Sequence, residues 1–305
     1  MMFTLFKNLI FFLFLAVSSS CYVPKNKIAD FPTGIYFHRI SADKLRYEAA
    51  FRKYQSEDRR VNVQLIGVDH LALPEFYQRV SRNISKKVVV YEQSGDGAED
   101  EKEFLSRLNS LNPTYKKRYE LIAGQKNALG VVGQNTSLSY MTSAEKVCGD
   151  IPAFSQTIDY SPSFIMSYVE FIAKETIKSA GLSLANDDDL DKKLKLAVQV
   201  LNQKETKKFM SENYRKSEEA SRKLVDSLMD YPDEMDWPRF SRERTYIMRN
   251  NKINLVLKDL WSRKGQLDIA VVYGAGHLPA VADFLRENNF KAIAEEWVLA
   301  AKLVP

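Results

Sequence analysis

Histidine and cysteine are scarce in this chain, with three and two copies in 305 residues. Two cysteines are too few for a disulfide-stapled scaffold or for the multi-cysteine patterns of structural zinc domains. Charge of one sign is also lacking. The 44 Lys+Arg stand against 39 Asp+Glu, a net charge of +5, with no dense basic block or aromatic-interleaved basic stripe, which argues against a nucleic-acid partner. No apolar run is long enough to span a bilayer; the best, Leu9 to Val17, is too short. What remains, 45% hydrophobic and 27% charged, is the composition of a globular protein with a sizeable core, in one large domain or two modest ones.

Residues 1–20 carry one charge, Lys7, then the apolar run, then Ser18-Ser-Ser20 before Cys21, the layout of a bacterial secretory signal peptide. Cleavage before Cys21 leaves a cysteine for lipid attachment, although Ser18 stands where lipoproteins more often have leucine. The expectation is an exported cell-envelope lipoprotein held to the membrane through Cys21, or otherwise a periplasmic or secreted protein. Cys148 is then an unpaired thiol. Without lipidation the two cysteines could bridge. Cys148 is distant in sequence from the motifs below and reads as structural.

Residues 21–60 read as an N-terminal arm or hairpin, with an extended look around Thr33 to Ile40 and a charged stretch from Arg52 to Arg60. From residue 61 to 305 the texture is that of one domain. Short β-branched runs, Val63 to Ile66, Lys87 to Tyr91, Ala128 to Val132 and Leu267 to Tyr273, alternate with helical patterns. This predicts an α+β fold: a mixed central sheet with flanking helices. Residues 162–263 read as a long helical insert, opening at Pro162 and breaking at Gly181. The acidic cluster Asp187-Asp-Asp189 fits the N-terminus of the next helix better than a metal site.

Two of the three histidines share one local setting. Val63-Gln-Leu-Ile-Gly67-Val-Asp-His70 precedes Pro74 and a helical pattern, and Ile269-Ala-Val-Val-Tyr-Gly274-Ala-Gly276-His277 precedes Pro279 and another. Each is a strand, a Gly-x-x-His turn and a helix starting near proline. Glycine permits a sharp strand exit, proline presets the first helical turn, and the histidine is left at the C-terminal sheet edge, where such folds bind ligands. His38 lacks this context and reads as an arm residue. Gly274-x-Gly276 lacks the third glycine of a dinucleotide fingerprint. Each histidine motif is followed by a strand ending in acid, at Glu92 and at Glu295-Glu296, a weak pseudo-repeat. Glu92 leaves a buried run and must sit at the strand tip or be paired. Glu295 and Glu296 face opposite sides, so at least one is solvated.

These residues resemble the TraB/GumN family, which includes pheromone-shutdown TraB proteins and the Wnt-inactivating TIKI ectoenzymes. The resemblance runs from about Asn62 to Trp297. It rests on Leu65-Ile-Gly67-Val-Asp-His70 with Pro74-Glu-Phe-Tyr77, Val89-Val-Tyr-Glu92, Asp159, Arg242-Glu243-Arg244 and Val272-Tyr-Gly274-Ala-Gly276-His277. Members usually have threonine after the first motif glycine, where this chain has Val68 and Asp69, and asparagine after the Glu-Arg pair, where it has Thr245. The resemblance implies a fold shared with erythromycin esterase and haem-binding ChaN-like proteins, with both histidine turns facing one cleft. For some members it also implies divalent-metal-dependent peptidase activity. His70, His277 and Glu92 are then metal ligands or catalytic groups, and Glu243 and Arg244 line the cleft.

Two imidazoles and a carboxylate leave an open metal position for water, with Mn, Co or Zn as the ion. Arg244 suits a developing oxyanion, and Glu243 could orient it or move a proton. A metal-free route has one histidine as general base. The expectation is a metal-dependent, peptidase-like hydrolase acting on a peptide or small molecule. The alternative is a non-enzymatic lipoprotein that binds peptide or haem.

Overall fold

A computed structural model gives the structure, and it describes residues 36–92, 97–134, 138, 142–150, 161–179, 181–183, 189–201, 203–227 and 248–305. The signal-peptide region, Cys21, Asp159 and Arg242 to Thr245 lie outside the described residues. The chain opens with β1 (His38–Ile40), β2 (Arg46–Gln55), β3 (Val61–Val68) and the short β4 (Leu71–Ala72), then α1 (Pro74–Ile84) and β5 (Val88–Tyr91). Next come α2 (Gly97–Leu111), α3 (Pro113–Ala123), a 3-10 turn (Gly124–Leu129), β6 (Val132–Gly133) and β7 (Glu145–Cys148). The helices α4 (Pro162–Ser179), α5 (Leu190–Val200), α6 (Gln203–Ser227) and α7 (Met248–Ser262) lead to β8 (Leu267–Gly274), α8 (Leu278–Glu287) and β9 (Lys291–Lys302).

The fold is α+β, as the alternation of runs predicts. Among the described residues seven strands form one mixed sheet, ordered β1-β2-β3-β8-β5-β7, with β9 also paired to β2. β1 and β3 share one edge of β2, and β9 runs antiparallel along the other. β3, β8, β5 and β7 run parallel. Their C-terminal ends therefore open onto the same edge of the sheet, the one consequence of topology that matters most for the site.

Period-2 alternation sorts the strand residues onto two faces. Val63, Leu65, Val271 and Tyr273 pack with Ile253, Leu257 and Leu260 of α7 and Leu278 and Leu285 of α8. Ile66, Val89 and Val272 face α1 through Phe76, Tyr77 and Val80, and α6 through Met210 and Tyr214. The one polar intruder among these strand positions, Gln64, is satisfied: Lys87 Nζ donates to its Oε1 at 2.6 Å, and its Nε2 donates to Asn83 at 3.0 Å.

A third apolar cluster lies off the sheet, where Phe104, Leu108, Tyr119 and Ile122 of α2 and α3 pack with Ile165, Val169, Ile177 and Leu194 of α4 and α5. The helical unit thus draws on helices that precede residue 162, and α7, inside the 162–263 range, covers the sheet instead. Periodicity locates helices but does not say which face another element will cover. Pro162 opens α4, and Gly181, at φ +74°, follows its end. Asp189 caps α5 by accepting from the Lys192 N–H at 2.7 Å.

One expectation is corrected. Ala128 to Val132 is not a strand: the 3-10 turn runs to Leu129, Gly130 takes φ +69°, and only Val132 and Gly133 pair, with β4. In the region read as an N-terminal arm or hairpin, the described residues form the β1–β2 hairpin, integral to the sheet, since β2 is paired on both edges. Arg52, the first residue of the charged stretch, is 2% exposed and bonded to Glu295 Oε2 at 2.7 Å and the Tyr36 carbonyl at 2.9 Å. Its long apolar stem suits the buried strand, and Glu295 supplies the counter-charge. Glu296, on the other side, makes an exposed pair with Arg79. Among the described residues no helix is long and apolar enough to cross a membrane.

Candidate functional site

Each parallel strand delivers a polar group to the common edge. β3 ends before Asp69 and His70, β5 before Glu92, β7 before Gly149 and Asp150, and β8 before Ala275, Gly276 and His277. The fifth contribution comes from the first turn of α7, where Arg249 and Asn250 are adjacent. The sequence-predicted His70, His277 and Glu92 are brought to one place. Asp150, Arg249 and Asn250 join them without having been anticipated.

Arg249 is the hub. Its Nε and Nη2 donate to the two oxygens of Asp150 at 2.9 and 2.8 Å, and Nη2 also donates to Glu92 Oε1 at 2.5 Å. Glu92 completes its shell by accepting from the Gly274 N–H at 2.8 Å. All three charged groups are buried: Arg249 is 1%, Asp150 1% and Glu92 5% exposed. Burial alone raises the Glu92 pKa, but the charge of Arg249, with smaller electrostatic contributions from the His70 and His277 rings, outweighs it and holds the carboxyl at about 2. The same carboxylates push the guanidinium, already a strong base, further up against the opposing effect of burial.

His277 is fully buried and neutral. Burial, then the neighbouring Arg249 charge, lowers its pKa from 6.5 to about 3. Its Nδ1 lies 2.8 Å from Asn250 Oδ1, an acceptor, so Nδ1 carries the proton and Nε2 presents a lone pair towards Arg249 Nη1 at 3.5 Å. Although His277 stands at the N-terminus of α8, its side chain makes no capping bond. Tyr273 closes this side, with its ring edge-on to His277 at 5.0 Å and beneath Arg249 at 5.3 Å.

His70 is half-buried and close enough to act electrostatically on both Glu92 and His277. The turn that carries it is held from several elements. Tyr77 of α1 donates to the Asp69 carbonyl at 2.6 Å, the Gln134 N–H to the His70 carbonyl at 2.9 Å, and Tyr214 of α6 to the Leu71 carbonyl at 2.8 Å. Val68 leaves the backbone after Gly67 without a hydroxyl, and Asp69 stands directly before His70. Its carboxylate accepts from Tyr47 at 3.0 Å, an alternative anchor to a threonine hydroxyl. Loss of water raises the Asp69 pKa, with the His70 charge acting the other way.

The motif glycines do not adopt left-handed backbone, and Gly67 acts by allowing close approach. The positive-φ glycines among the described residues are Gly130, Gly181 and Gly265. Gly67 lies within β3, where a Cβ would come within 3.1 Å of the Phe37 carbonyl, and Gly274 turns its N–H onto Glu92. Gly149 has the same role unannounced: a Cβ there would sit 2.7 Å from Val90 Cγ1. Cys148, read as distant from the motifs, ends β7 two residues from Asp150. Parallel pairing of β5 with β7 brings it to Tyr91, a contact that sequence separation conceals.

As they stand, these donors do not fit a divalent ion. Both Glu92 oxygens are engaged and Arg249 faces His277 Nε2; among the described residues no three metal-ligating side chains converge as a ligand set. Glu243 and Arg244 lie outside the described residues. Arg249 and Asn250, five and six residues beyond Arg244, open α7 at the site edge, and no signal in the sequence analysis singled them out. Asp150 had no such signal either. Comparison with family models, with curated proteins and with solved structures finds no match to this chain.

Proposed function

We propose that the protein is a hydrolase that cleaves an ester or amide bond in a peptide or small-molecule substrate at the C-terminal edge of its parallel strands. The observation that carries this reading is the buried Glu92–Arg249–Asp150 cluster beside neutral His277 and half-buried His70. Ionisable groups strongly perturbed by burial and by specific charge partners, gathered at the ligand-binding edge of a sheet, are the groups from which proton-transfer sites are built. His70, the more exposed imidazole, takes a proton from the attacking water. Glu92, held ionised by Arg249 and the Gly274 N–H, stabilises the imidazolium that forms. Asn250 fixes the tautomer of His277, whose neutral ring and lone pair help hold the Arg249 side chain in place.

The resemblance to the TraB/GumN family supports the same reaction class, and the pattern of residues 1–21 supports export with lipid attachment at Cys21. The test is turnover of a panel of peptides and aryl esters by the purified protein, each assayed with chelator and with Mn, Co or Zn ions. His70→Ala and Glu92→Gln are expected to lower kcat/KM by about 100-fold or more. If the folded protein turns over nothing on the panel while a Soret band appears on haem addition and is lost in His70→Ala, the protein is a binder. Cys21→Ser is expected to move it from the membrane fraction to the soluble one.

A further inference from the structure

We propose that the Arg249 guanidinium is the resident cation of this site, and that it keeps divalent ions out of the space between Glu92, Asp150 and His277. This stands whether or not the site turns over a substrate. Glu92 Oε1 and Asp150 Oδ2 converge on one nitrogen, Arg249 Nη2, at 2.5 and 2.8 Å. The neighbouring nitrogen, Nη1, faces the His277 lone pair at 3.5 Å. Two carboxylates and an imidazole, the donor types that a divalent ion would use, are therefore all directed at the guanidinium.

An ion within bonding distance of Glu92, about 2.0–2.2 Å for zinc, would lie against Arg249 in a dry interior where like charges repel strongly. The guanidinium cannot lose its proton to make way, as a lysine could. The other oxygens of the two carboxylates are taken as well, by Arg249 Nε at 2.9 Å and by the Gly274 N–H at 2.8 Å, so neither can swing to meet an ion without giving up a buried bond.

The experiment uses tag-free full-length protein exposed to zinc or manganese, dialysed, and assayed for metal content and melting temperature. The wild type is expected to retain far less than one equivalent and to melt at the same temperature with and without chelator. Arg249→Ala, which leaves the three donors around a vacated space, is expected to melt higher as zinc or manganese is added, because an ion that binds only the folded state stabilises it by mass action. Adding Glu92→Gln should abolish that response. One equivalent in the wild type that disappears in Glu92→Gln would overturn the proposal, and so would a folded Arg249→Ala protein with no metal response. If Arg249→Ala does not fold, the wild-type metal content and its response to chelator decide the matter.

Discussion

Arg249 forms three hydrogen bonds to carboxylate oxygens while only 1% exposed, so its removal takes the counter-charge from two buried carboxylates. Arg249→Met is expected to cost about 3–5 kcal/mol, read from denaturant unfolding. Arg249→Lys restores the charge but not the fork that holds both Asp150 oxygens, so it should recover only part of that loss. Acid should weaken the fold in two stages. His277 stays neutral to about 3 in the fold but takes a proton near 6.5 when unfolded, so stability falls as the pH drops below about 6.5. Glu92, at about 2 in the fold against 4.5 ordinarily, adds a second loss below about 4.5. Asp69, raised by burial, acts in the opposite sense. A urea midpoint that holds level from pH 7 to 5 would contradict a neutral buried His277, and His277→Gln should remove the first stage.

The elements that carry the site depend on close approaches. Gly149 lets the chain pass beside β5, where its N–H donates to the Tyr91 carbonyl at 2.9 Å and an added Cβ would collide with Val90. Gly149→Ala is expected to cost about 1–3 kcal/mol and to displace Asp150 from Arg249. Equal thermal stability of the two proteins would refute the close approach. The His70 turn is tied to α6 by the Tyr214 hydroxyl. Tyr214→Phe should cost about 1 kcal/mol and speed amide exchange around Leu71 without loosening α7. Elements with strong local signals were legible: β3, β5 and β8 from their β-branched runs, and α1 and α8 from their prolines. β7 was not. Glu145-Lys-Val-Cys148 carries no alternating pattern of its own and is a strand because β5 offers it a ladder.

For the molecule as a whole, two apolar clusters sandwich the sheet and a third binds α2 to α5 away from it. Leu194→Ala, at a fully buried position in the helical cluster, is expected to cost about 2–5 kcal/mol. Hydrogen exchange should then rise in α3, α4 and α5 ahead of β3 and β8, and uniform acceleration over the chain would argue for one cooperative unit instead. By itself the sequence determined the fold class, both histidine turns and the placement of Glu92 at a strand tip, because these depend on local periodicity, turn chemistry and the cost of burying an acid. Only the tertiary structure decided the partners. Insertion of β8 between β3 and β5 brings His70, Glu92 and His277 to one edge, and packing of α7 against that sheet seats Arg249 between Glu92 and Asp150. The Arg249 pairings join residues about a hundred positions or more apart, so they follow from strand order and burial, which no local pattern encodes.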